Sequence, residues 1–142
     1  MIKITREDFS VDEAIKSLKR SEVGGIVTFV GIVRGESQGQ PVERLEIEAY
    51  EEMALRDLEE IRRRALEKFR VEDAVIIHRV GELKVSDNIV LIAVGAAHRE
   101  EAFEACQFIL EEVKRLAPIW KKEHYCERMG STPKSRWVTS SS

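Results

Sequence analysis

The feature that most constrains this chain is the join between two segments. Ile89-Val90-Leu91-Ile92-Ala93-Val94 is its most hydrophobic run, and a long amphipathic segment begins near Arg99 and is stopped by Pro118. A continuous apolar run of that length, rich in β-branched residues, reads as a buried strand. The segment after it carries Phe103, Cys106, Leu110, Val113 and Ala117 at helical spacing, so a helix is expected from about Arg99 to Ala117. A buried strand that runs straight into a helix requires helices packed on a sheet.

The rest of the chain fits that frame. Ile2-Lys3-Ile4 suits a short strand. Ser10 and Glu13 have capping-box spacing, and Val11, Ala14, Ile15 and Leu18 continue at helical period until Gly24-Gly25 breaks the helix. Ile26 to Val33 is a second dense β-branched run and reads as a buried strand; residues 34–41 form a polar loop. Leu45, Ile47 and Ala49 alternate with Arg44, Glu46 and Glu48, the pattern of a strand with one wet face. A second helix spans Met53 to Phe69 with Ala54, Leu58, Ile61, Ala65 and Leu66 inward, and Ala74 to Val80 is another strand. Val85 to Asn88 is a turn, and Ile119 to Tyr125 reads as a last strand. This order, with hairpin-like neighbours, predicts an α+β fold rather than a doubly wound parallel sheet. A chain of 142 residues makes one domain, here 1–138, with 139–142 expected to fray.

Composition excludes several function classes. A formal net charge of -3 argues against general nucleic-acid binding, so anion recognition must be local. The N-terminus lacks the apolar run of a signal peptide, and no segment is long and apolar enough to span a bilayer. Cys106 and Cys126 form no C-x-x-C pair and read as reduced thiols of a cytoplasmic protein. No cluster has metal-ligand spacing, and no glycine loop matches a nucleotide fingerprint.

The candidate site residues are basic. His98-Arg99 stands at the start of the third helix, where free N–H groups and the helix dipole favour an anion. His98 can equally be a neighbour of the helix cap, and Arg99 a surface residue. Arg34 emerges at a strand end, either as a solvated loop arginine or as a clamp on an oxyanion. Lys114 lies about 20° from Phe103 at ~100° per residue, on the margin of the apolar stripe. It can snorkel over the core or point into a site. Lys121 and Lys122 alternate on a strand, so only one of them can face a given pocket. His78-Arg79, inside a strand, reads as structural, and Cys106 as a small core hydrophobe.

Together these pieces resemble a known family. They are Val27-Thr28-Phe29-Val30-Gly31-Ile32-Val33-Arg34, Ile77-His78-Arg79-Val80-Gly81-Glu82-Leu83, Ala96-Ala97-His98-Arg99 with Ala102-Phe103-Glu104-Ala105, the stretch from Lys114 to Glu123, and Arg136-Trp137-Val138. As an ordered set, from about Ile2 to Val138, they resemble the large, catalytic subunit of molybdopterin synthase. Tyr125 to Ser135 departs from the family in being longer than the loop usual before the closing tryptophan. The resemblance implies an α/β-hammerhead fold with a mixed, largely antiparallel sheet and three main helices. It implies a homodimer that binds two copies of a small ubiquitin-like sulfur carrier, making a heterotetramer. Sulfur would come from the carrier's C-terminal thiocarboxylate and convert cyclic pyranopterin monophosphate to the dithiolene molybdopterin, with no metal or other cofactor. By position, the family's catalytic lysines fall on Lys114 and Lys121, and its anion-binding residues on Arg34, His98 and Arg99. The competing expectation is a non-catalytic dimeric module that binds an anionic metabolite or a protein for regulation through the same basic residues.

Overall fold

The computed structural model describes residues 1–126 and 134–138. The tail at 139–142 and most of the long segment before the closing tryptophan lie outside the described residues. The elements run β1 (Ile2–Thr5), α1 (Val11–Leu18), β2 (Gly25–Ile32), β3 (Glu36–Ser37), β4 (Gln40–Ala49), α2 (Glu51–Lys68), β5 (Asp73–Arg79), β6 (Gly81–Lys84), β7 (Asn88–Ala96), α3 (Arg99–Leu116), β8 (Ile119–Tyr125) and β9 (Ser135–Val138). The expected α+β class, with three helices and mostly antiparallel pairing, is the one observed. The strands divide into two sheets, ordered β1-β5-β7-β2 and β3-β4-β8-β9, with β6 also paired to β4. Of these pairings only β1 with β5 is parallel.

Strand β7 is continuously apolar because both of its faces are covered. Ile92 and Val94 join Ala74 and Ile76 of β5 in the main core under α2 and α3. Leu91 and Ala93 join Val75 and Ile77 on the opposite face, under Ala14 and Leu18 of α1. The Ser10 hydroxyl starts α1 by accepting the Glu13 N–H at 3.1 Å, an N-cap worth about 1 kcal/mol. Strand β2 is less buried than its composition suggests. It is the edge of its sheet, its residues are only half covered, and Ile32 is exposed. The loop after it folds back as a hairpin, with Gln38 and Gly39 both at positive φ between β3 and β4, the backbone that a two-residue turn of matching twist requires.

Helix α3 differs from expectation in its facing. Its buried residues are Ala102, Ala105, Cys106, Ile109 and Val113, whereas Phe103 is 62% exposed. Small alanines let the helix lie close on β2 and β7, and a phenylalanine does not fit under it. Strand β8 is not the last strand either. β9 pairs beside it, with Glu123 opposite Arg136 and Lys122 opposite Trp137.

Candidate active site

Arg34, Lys114 and Lys121 come together on one cavity of about 230 Å³. Three unrelated elements deliver them. Arg34 follows β2, whose end is pinned by Val33 N–H to Asp87 O at 3.0 Å and Ser86 N–H to Val33 O at 2.9 Å. Lys114 projects from the last turn of α3, on the face that also brings Leu110 and Val113 to the cavity. Its place is set by those neighbours, since Phe103 is not in the core. Lys121 reaches the cavity because β8 alternates. Ile119, Lys121 and Glu123 line the cavity, while Lys122 turns away and lies 5.5 Å over the Trp137 ring.

The three cations of this cluster act on one another. Burial lowers the Lys121 pKa, and the charges of Lys114 and Arg34 lower it further. Burial also lowers that of Lys114, against an opposing pull from Glu111. A cavity walled by valine, leucine and isoleucine with three cations on it will draw in an anion. It also lowers the cost of a lysine giving up its proton, and the deprotonated amine is the form that can accept a proton or act as a nucleophile.

His98 and Arg99 are not brought to this cavity. They stand exposed at the start of α3, with His98 at the N-cap position and no capping hydrogen bond from its side chain. Lys114 lies near the other end of the same helix.

Three further side chains line or adjoin the cavities beside the expected residues. His78, expected to be structural, is 3% exposed and lines the cavity. Burial pushes its pKa down to about 4, the Arg79 carbonyl hydrogen bond opposes this, and the Lys121 charge reinforces it. Its neighbour Arg79 is structural as read, donating to Asn88 O at 3.2 Å and Arg6 O at 3.0 Å. Glu123 is 7% exposed, accepts the Tyr125 hydroxyl at 2.9 Å and lies 3.7 Å from Arg136. Arg136 in turn donates to Gln38 at 2.7 Å. With Arg34 it lines a second cavity of about 380 Å³ that shares Arg34, Glu123 and Val138 with the first. The available signal was the β8 alternation, which puts an acid on the same face as Lys121. Among the described residues no group of three His, Cys, Asp or Glu could hold a metal ion, and no helix is long and apolar enough to cross a membrane.

Comparisons with known proteins agree on one family. The family model described as MoaE protein matches residues 4–116. A molybdopterin synthase catalytic subunit from Pyrococcus abyssi is 52% identical over 117 residues, covering 82% of this chain and 79% of the relative. One of the same name from Vibrio cholerae is 40% identical over 140 residues, covering 98% and 89%. The crystal structure of molybdopterin synthase from Staphylococcus aureus superposes with a TM-score of 0.86 at 36% identity, covering 95% of this chain and 94% of that one. A complex of subunits 1 and 2 of molybdopterin-converting factor from Helicobacter pylori matches with a TM-score of 0.72 at 25% identity, covering 86% and 83%.

Proposed function

This chain belongs to the MoaE family of molybdopterin synthase catalytic subunits, enzymes of molybdenum cofactor biosynthesis, and from that premise we propose that it is the sulfur-transferring subunit. It takes sulfur from the C-terminal thiocarboxylate of a small ubiquitin-like partner and delivers it to cyclic pyranopterin monophosphate, giving the dithiolene of molybdopterin. The observation that carries this reading is the convergence of Arg34, Lys114 and Lys121 on a single, largely apolar cavity. The Helicobacter pylori relative is a complex of two different subunits, which supports a small partner here.

The chemistry follows from the charges. A thiocarboxylate is an anion, and Lys114 with Lys121 attracts it into a cavity where water is scarce. There the Coulomb attraction is stronger than in bulk solvent. Once the sulfur has bonded to the pterin, water adds to the carbonyl carbon of the resulting thioester; charge builds on the carbonyl oxygen, where fixed cations stabilise it, and its collapse breaks the C–S bond, leaving sulfur on the pterin and a carboxylate on the partner. Arg34 meets the substrate at the mouth, where its guanidinium can make two parallel bonds to an oxyanion. His98 and Arg99 hold the phosphate from the second copy of a homodimer, since one helix cannot bring both of its ends to one small molecule.

The test is to mix the chain with a thiocarboxylated partner and the pterin and to follow the product by mass spectrometry. Gain of two sulfurs is the expected result. Association without any sulfur gain would refute catalysis and leave the binding-module reading.

A further inference from the structure

Strand β2 closes one side of its sheet and, among the described residues, pairs with β7 alone. Its sequence, Gly25-Ile26-Val27-Thr28-Phe29-Val30-Gly31-Ile32, contains no charge and no proline, the devices that keep an edge from pairing. Every second N–H and C=O of such a strand points away from the sheet. Side chains on both faces of β2 are only half covered, and Ile32 is exposed.

Helix α3 is open on the same side. α2 packs on β1 and β5, and α3 on β7 and β2. Phe108 meets Phe69, and Glu112 lies 3.5 Å from Arg64, so that flank of α3 faces α2. Phe103, Leu110 and Lys114 fall on the opposite flank at ~100° per residue, toward the free edge. Leu110 and Lys114 line the cavity there with Phe29 to Val33, whereas Phe103, one turn after Arg99, is exposed.

An antiparallel copy of β2 fits this edge. When a two-fold relates the two strands, one residue faces its own copy. Thr28 stands at the middle of β2 and is its one polar side chain, and a threonine pair across two strands is favourable. This register sets Val27 opposite Phe29 of the second copy and Ile26 opposite Val30, apolar against apolar. It also sets Gly25 opposite Gly31, which decides what meets at the strand ends. Within one chain Ala96 of β7 lies beside Gly25. Gly31 is six residues further on, about 20 Å away at ~3.3 Å per residue. Across the pair, Gly31 of the second copy is two strand spacings from Ala96, about 10 Å. His98 and Arg99 come within three residues after Ala96, and Arg34 within three after Gly31.

Resting on the reading of a site shared between two copies, we propose that the free edge of β2 is the surface that joins them. β2 pairs antiparallel with β2 of a second copy about a two-fold beside Thr28, making one eight-stranded sheet. The two α3 helices then lie antiparallel on one face of it. His98 and Arg99 of each copy come to the lysine cavity of the other, and Phe103 is covered between the helices.

Oxidative cross-linking tests the register. Opposed residues of an antiparallel pair have Cα atoms about 4.5–5.5 Å apart, within disulfide range. With Cys126→Ser removing the exposed native thiol, Thr28→Cys should form a disulfide-linked dimer under mild oxidation. Lys3→Cys, on the opposite edge strand β1, should not. Absence of a linked dimer from Thr28→Cys overturns the proposal, whether the chain sediments as a monomer or as a dimer through another surface. Equal linking by Lys3→Cys marks random collision and overturns it too. Amide hydrogen exchange of the unaltered chain decides if a variant fails to fold. A paired edge protects consecutive β2 amides, whereas an open edge protects only alternate ones. Alternating protection refutes the pairing. Protection that becomes continuous only when the sulfur carrier is added gives the edge to the carrier and equally refutes it. Neither readout uses turnover, so a linked dimer that transfers no sulfur would count against the catalytic function and leave the interface standing.

Discussion

An Arg99→Ala chain mixed with a Lys114→Ala chain should regain activity that neither has alone. Arg99 opens α3 and Lys114 sits in its last turn, fifteen positions later. At about 1.5 Å per residue their Cα atoms are roughly 22 Å apart. A phosphorylated pterin is about half that length, and the cavity that contains Lys114 includes neither His98 nor Arg99. A two-fold dimer removes the difficulty if the start of α3 from one copy approaches the lysine cavity of the other. Random re-association of equal amounts makes half of the dimers mixed. In each mixed dimer one site carries both defects and the other none. The mixture should then show about a quarter of the wild-type specific activity. The control comes from the cavity itself. Lys114 and Lys121 line it within one chain, so Lys114→Ala mixed with Lys121→Ala has no intact site in any dimer and should stay inactive. The assay is pterin sulfuration after subunit exchange, with exchange verified by native mass spectrometry of isotopically distinct chains. Proven exchange without recovery in the first pair, or equal recovery in the control, would refute a site shared between subunits.

Replacing Lys114 or Lys121 by alanine should each cost about 3 kcal/mol of transition-state stabilisation, roughly a hundredfold in turnover, with unchanged thermal melting; near-normal single-turnover transfer in both variants would remove them from the chemistry. Gly24→Ala should destabilise the fold by about 1–3 kcal/mol, because a Cβ there would overlap the Ala97 carbonyl oxygen while Gly24 N–H is tied to Ala96 O at 2.9 Å. A denaturant midpoint equal to wild type would contradict that close approach. His78 links stability to pH. Burial holds its folded pKa down to about 4 from an ordinary 6.5, so below about pH 6.5 the unfolded chain takes up a proton that the folded chain refuses. Stability from this group is full above the unfolded value and is lost as pH falls through this window, by about 3 kcal/mol near pH 4. Urea titrations from pH 7 to 4 should show that slope in the wild type and its absence in His78→Gln; identical slopes would show that His78 does not carry it.

Local patterns were enough for the helices and the long strands but not for the short strands β3, β6 and β9, and they offered Arg34, Lys114 and Lys121 as separate candidates without bringing them together. The period-2 alternation of β8 restricts a cavity to one of Lys121 and Lys122, and Pro118 fixes where α3 stops beside Lys114. Both are properties of neighbours in the chain, so the residues alone determine them. The apolar run of β7 likewise could only be a strand buried on both faces. Spacing misleads where packing decides. Helical spacing sets Phe103 inward with Cys106, Leu110 and Val113, yet the helix needs Ala102 and Ala105 there to approach the sheet. What no local pattern contains is the cavity. It exists because the register of β4 with β8 sets Ile47 opposite Lys121, because α3 returns over β7, and because β9 closes beside Glu123. These contacts join residues far apart in the chain, and only their combined geometry turns His78 from a strand residue into a wall of the site. The distance from His98 and Arg99 to that cavity was also decided there, since a straight helix of eighteen residues cannot bend its first turn back to its last.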